Sequence, residues 1–198
     1  MNRFPAISAA LVSSFALGLV LAALHGQSQP AVNADSLVLK EFDQRVDDYL
    51  KLRKKLQVPR PKVKPSASAV SQAQLELAAK IRMARSKAAQ GDIFIPNVAP
   101  IFRKLLAQPL HSGDGAKVRS SLRDGKSEHP AVPGINQSFP GGSAIPSAPP
   151  TLLSNLPKLP EGIEYRVVGQ ELVLLDTEAN LIVDILPDAL PAAAEAGH

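Results

Sequence analysis

Asp43, Asp47 and Asp48 crowd into six consecutive positions, with Asp43 and Asp47 one helical turn apart. Carboxylates at that spacing offer oxygen ligands to a hard cation. The same residues also suit a solvated helix face on which Asp47 pairs with Lys51 four residues on, and this is the reading adopted. His111, Ser112 and Asp114 supply the residue types of a nucleophilic triad. They are nearly adjacent in a Gly- and Ser-rich stretch, and a triad needs rigid support from separate elements. Asp176 and Glu178 fall in "DTEAN", where turn composition accounts for both. The four histidines, His25, His111, His129 and His198, are scattered, and there is no Cys. Disulfides, thiol catalysis and thiolate metal sites are therefore excluded. No nucleophile elbow, phosphate loop, zinc-protease helix or calcium loop is present. The expectation is a non-enzymatic protein with no catalytic, cofactor-binding or metal-binding residues and no small-molecule substrate.

Charge offers a second kind of chemistry. Lys51, Arg53, Lys54, Lys55, Arg60, Lys62 and Lys64 put seven basic residues into 14 positions with no acid among them. Such a run attracts anions, and an anionic envelope or membrane surface is the partner class it suggests. Nucleic acid is not expected, because the chain is only 4% aromatic and has no Trp for base stacking. Residues 51–126 carry 17 Lys or Arg against four Asp or Glu, whereas residues 157–198 carry two against eight. The net charge of +4 thus hides a basic middle and an acidic end.

The elements that hold these residues begin with an export signal. Arg3 precedes the apolar run Phe4–Leu24, and "AVNA" ends at Ala34 with small residues suited to cleavage before Asp35. An uncleaved anchor is the alternative, since 21 apolar or small residues can span a bilayer as a helix. A helix is expected over 36–57, because Leu39, Phe42, Val46, Tyr49, Arg53 and Leu56 recur at spacings of three and four. Asp35 or Ser36 is its expected cap. A second helix is expected over 66–89, capped by Ser66 or Ser68, and the two form a hairpin. A short third helix begins near Asn97 and Pro100. Residues 109–150 contain 20 Gly, Pro or Ser in 42 positions and read as a disordered linker with one helical turn in "AKVRSSLRDG". Low aromatic content and 18 prolines argue for modest modules rather than one large core.

From Glu164 to Ile185 the pattern changes to a three-stranded antiparallel meander. Gly169-Gln170 fits a two-residue hairpin turn, and Asn180 suits a left-handed turn position. If the first turn has two residues, Val167 lies opposite Leu172 and Tyr165 opposite Leu174. If the second closes on Leu175 and Leu181, one face carries Tyr165, Val167, Leu172, Leu174 and Ile182. The other carries Val168, Val173, Leu175, Leu181, Val183 and Ile185. A one-residue slip reshuffles the lists but leaves both faces apolar. A lone three-stranded sheet cannot cover two such faces. Helices are expected on one, and the other face or the sheet edge is the expected interaction surface, for a protein partner or a second copy.

The stretch "LPEGIEYRVVGQELVLLDTEANLIVDILPDALP", with "FDQRVDDYLKLRKKL" and "GDIFIPNVAPIFRKLL", resembles a group of uncharacterised exported bacterial proteins with a Pro-rich linker before a C-terminal meander. The meander is also similar to the short C-terminal sheet of periplasmic nickel/cobalt homeostasis proteins, although no His or Cys here matches a metal ligand of that family. The first resemblance implies location and architecture only. The resulting expectation is an α+β protein: a signal or anchor over 1–34, helices over 35–108, a linker over 109–150, the meander over 151–188 and a frayed tail over 189–198. It is placed in the periplasm or outside the cell and acts by binding. Accessory roles in metal or stress homeostasis, and an envelope enzyme, are the alternatives.

Overall fold

The computed structural model describes residues 33–57, 66–124, 132–139 and 148–191. The signal reading falls almost wholly outside the described residues. Helix α1 spans Ala34–Leu56 and buries Phe42, Val46, Tyr49 and Arg53, four members of the expected stripe. Its cap is Asn33, whose side chain accepts the Asp35 N–H, not Asp35 or Ser36 themselves. Helix α2 spans Ala67–Ala84 with Ser66 as cap and buries Leu77, Ala78 and Ile81. It ends at Arg85, and Gly91 sits further on in a left-handed conformation at φ 90°. Helix α3 spans Ala99–Leu110; Pro100 stands in its first turn, where a missing N–H costs nothing. Helix α4 (Gly115–Asp124) and the short α5 (Pro150–Leu153) follow. Helix α1 packs on α2, and α3 packs on α4 and α5. Among the described residues no helix is long and apolar enough to cross a membrane.

Strands β1 (Ile163–Val168), β2 (Glu171–Asp176) and β3 (Leu181–Leu186) form an antiparallel meander in the order β1-β2-β3. The chain is thus α+β. Gly169, at φ 62°, makes the first turn, and Val167 faces Leu172 and Tyr165 faces Leu174 as expected. The second hairpin differs. Asp176 pairs with Leu181 and Leu175 with Ile182, and then the register shifts so that Leu174 meets Asp184. This bulge moves side chains between faces. Ile182 joins Val168, Val173, Leu175 and Ile185, while Leu181 and Val183 join Val167, Leu172 and Leu174 on the face toward the helices.

The helices and that sheet face share one core rather than forming separate modules. Phe42, Phe94 and Phe102 cluster with centroids 4.9–5.7 Å apart, and the Tyr165 ring meets Phe102 edge-on at 6.0 Å. Few aromatics suffice because they are concentrated at one point between α1, α3 and β1. The 109–150 segment also contributes to the fold. Val118 of α4 is buried, and Val132, Ile135 and Phe139 pack on the second sheet face. The Asn136 N–H donates to the Ile182 carbonyl at 2.9 Å, and the Ile182 N–H donates to Gln137 at 2.9 Å, so this segment runs along the β3 edge. Ala189 and Leu190, expected to fray, are buried, and both N–H groups donate to the Gln170 carbonyl.

Candidate functional site

Arg53 belongs by sequence both to the basic run and to the α1 stripe; it lies on the buried stripe, with only 8% of its surface exposed, and so is not part of an anion-attracting surface. A guanidinium taken out of water needs charged and hydrogen-bonding partners. Its Nη1 donates to Asp176 Oδ1 at 3.1 Å and to the Gly162 carbonyl at 3.3 Å, and Nη2 donates to the Glu161 carbonyl at 3.3 Å. Glu178 lies 3.7 Å away and also accepts from Gln57. Asp176 is fully buried and accepts from Tyr49 Oη at 2.6 Å and from the Glu178 and Ala179 N–H groups at 2.8 and 3.0 Å. Burial and the Asp176 charge push the Tyr49 hydroxyl well above its usual range, so it stays a donor. The Arg85 guanidinium stacks over the Tyr49 ring at 5.1 Å. Each charge here is answered by another element, so the cluster pins α1 to the β2–β3 turn. A charged residue on an apolar helical stripe is the one sequence signal that could have led to it.

Asp184 is the second buried carboxylate. It accepts from the N–H groups of Gly91, Ile93, Phe94 and Ile185 at 2.7–2.9 Å. Burial pushes its carboxyl above the ordinary carboxylate range, and these four donors pull it only part of the way back. The carboxylate fastens the loop between α2 and α3 onto the sheet. Asn136, at φ 63°, does the same for the 132–139 segment, accepting from Arg82 and Arg85 and donating to the Arg85 carbonyl at 2.7 Å.

The remaining sequence candidates are placed as follows. Asp43 and Asp47 stand exposed on α1 at the lip of an open groove of about 520 Å³, floored by Leu39, Val46, Leu105 and Leu156 and edged by Asn155 and Lys158. Partial burial, then the neighbouring Asp47 charge, raises the Asp43 carboxyl. The Tyr165 hydroxyl is buried, has no hydrogen-bond partner among the described residues, and is pushed up by burial and by the Asp43 charge. Lys51 pairs with Asp48 at 2.8 Å instead of Asp47. Ser112 donates to the Pro109 carbonyl and Asp114 pairs with Lys117, so neither engages His111. Lys54 and Lys55 are exposed; Arg60, Lys62 and Lys64 lie outside the described residues. Among the described residues no group of three or more His, Cys, Asp or Glu could hold a metal ion.

The meander residues singled out as an interaction surface are turned inward. Val168, Leu172, Val173, Leu174, Leu175, Leu181, Ile182, Val183 and Ile185 are all buried, as is Val167, and Tyr165 is half-buried. Among the described residues the large apolar side chains left outside are Leu37, Val70, Leu75 and Met83, the last two 60% and 73% exposed on α2. No family model, curated protein or solved structure matches this chain.

Proposed function

We propose that this chain is an exported, non-enzymatic envelope protein that acts by binding another protein, with its contact surface on the outward side of α2. The observation that carries this reading is the contrast between buried and exposed groups. The buried charges Arg53, Asp176 and Asp184 are spent on tying elements together. The meander supplies a closed scaffold. Leu75 and Met83 instead lie eight residues apart on the outward side of a regular helix, about 80° from each other around its axis, and both face water. Large apolar residues aligned on an exposed face favour association. Export rests on Arg3, the Phe4–Leu24 run and "AVNA". Lys54 and Lys55 at the end of α1 add an attraction to anionic surface, in a supporting role.

The test is a photo-crosslinking residue at Leu75 in living cells, combined with fractionation. The reading predicts an adduct heavier than the chain itself, recovered from the envelope fraction. A chain that stays in the cytoplasm, or one that gives no adduct from this position, overturns it.

A further inference from the structure

We infer that the partner of α2 is a second copy of this chain, paired antiparallel through the outward stripe and crossing at Ala79. This rests on the binding reading above and names its partner. Around α2, Leu75, Ala79 and Met83 fall within about 40° of one line, given 100° per residue. Leu77 and Ile81, which are buried, lie on the opposite side. Ala79 is exposed, so a second molecule can approach the helix there, and two chains joined at this point keep the buried sides of α2 turned away from each other.

The small residue at the centre of the stripe permits close approach, toward the short end of the usual 8–10 Å between helix axes. A twofold axis at Ala79 sets Leu75 level with Met83 of the second copy, at both ends of the contact. Charge selects this arrangement. Glu76 and half-buried Lys80 flank the stripe on the same side. In the antiparallel pair that side of each helix faces the same side of the other, so Glu76 stands beside Lys80 of the second copy. Glu76 is held toward the stripe side by Gln72, whose Nε2 donates to it at 3.2 Å. On the other flank Arg82 is already bonded to the Asn136 carbonyl and Ser138 Oγ, at 2.9 and 2.8 Å. Its aliphatic stem is left to cover Leu75 of the second copy. The apolar stripe is short, well below the roughly 800 Å² per partner of a standard interface, so the pair exchanges rapidly and is best trapped.

The chain has no Cys, so single-cysteine variants of the full chain report the geometry directly. Under mild oxidation Ala79→Cys should link to itself. Leu75→Cys or Met83→Cys alone should link at least tenfold more slowly, because the twofold sets each residue about 12 Å along the axis from its own copy. Mixed together, those two variants should link to each other. Adding Glu76→Lys to Ala79→Cys should slow linking several-fold, and further adding Lys80→Glu should restore it. The inference is overturned if Ala79→Cys links no faster than Gln44→Cys on exposed α1, or if the Leu75 and Met83 variants link to themselves as fast as to each other. If the cysteine series fails while a Leu75 photo-adduct of a different mass persists in cells, the second copy is wrong and the binding reading stands. If both fail, both fall.

Discussion

Removing the Asp176 carboxylate should cost more than removing the arginine that pairs with it. In Asp176→Ala the Arg53 guanidinium stays 8% exposed and keeps two carbonyls, both at 3.3 Å, and Glu178 at 3.7 Å. The Tyr49 hydroxyl and the Ala179 N–H lose their acceptor as well. Leaving a buried charge short of its partner costs about 3–5 kcal/mol. In Arg53→Met the buried carboxylate loses its guanidinium but keeps three donors, at 2.6, 2.8 and 3.0 Å, so the loss should be about 2–3 kcal/mol, below that of Asp176→Ala. The two residues touch, so the double variant should lose at least about 1 kcal/mol less than the sum of the singles. Against a total of about 5–15 kcal/mol, Asp176→Ala removes about a fifth or more of the stability. Urea denaturation followed by circular dichroism measures all four corners of the cycle. A cost below about 1 kcal/mol for Asp176→Ala, or a larger cost for Arg53→Met, refutes the view of this cluster as the pin between α1 and the meander.

Three further outcomes follow from the geometry. Gly162, at φ 81°, would place a new Cβ 2.7 Å from Arg53 Nη1, so Gly162→Ala should cost about 1–3 kcal/mol and distinctly less in the Arg53→Met background, by the same denaturation assay. Phe139→Ala should cost about 3 kcal/mol by opening the second sheet face, and a loss under about 1 kcal/mol means that residues 132–139 do not hold that face. Asp43 titrates above the ordinary carboxylate range, so its folded form binds a proton first as pH falls; its contribution to stability is complete below the unfolded value and is lost as pH rises through the folded one. Carboxyl NMR should show this titration moving down in Asp47→Asn, and an unmoved titration leaves burial as its sole cause.

The helices were legible because their stripes repeat at three and four residues, and the Ser66 cap and the first hairpin register were legible because local chemistry sets both. The second hairpin was not. Leu172–Leu175 and Leu181–Val183 are apolar at consecutive positions, so alternation could not reveal the bulge that sends Ile182 to one face and Leu181 and Val183 to the other. A helical turn was legible in "AKVRSSLRDG", where α4 forms, but residues 132–139 were hidden by composition. Their place depends on distant partners, such as Arg82 and Arg85 for Asn136. Arg53 was visible on the stripe, but its partner Asp176 lies 123 positions away and carries no local mark.

The central claim is that binding occurs on the outer side of α2 and not on the meander. A photo-crosslinking residue placed in living cells at Met83, and separately at Val173, compares the two directly. Met83 is 73% exposed and Val173 is fully buried, so the account predicts an intermolecular adduct from Met83 and none from Val173. An adduct from Val173 with none from Met83 would contradict it and return the interaction surface to the sheet.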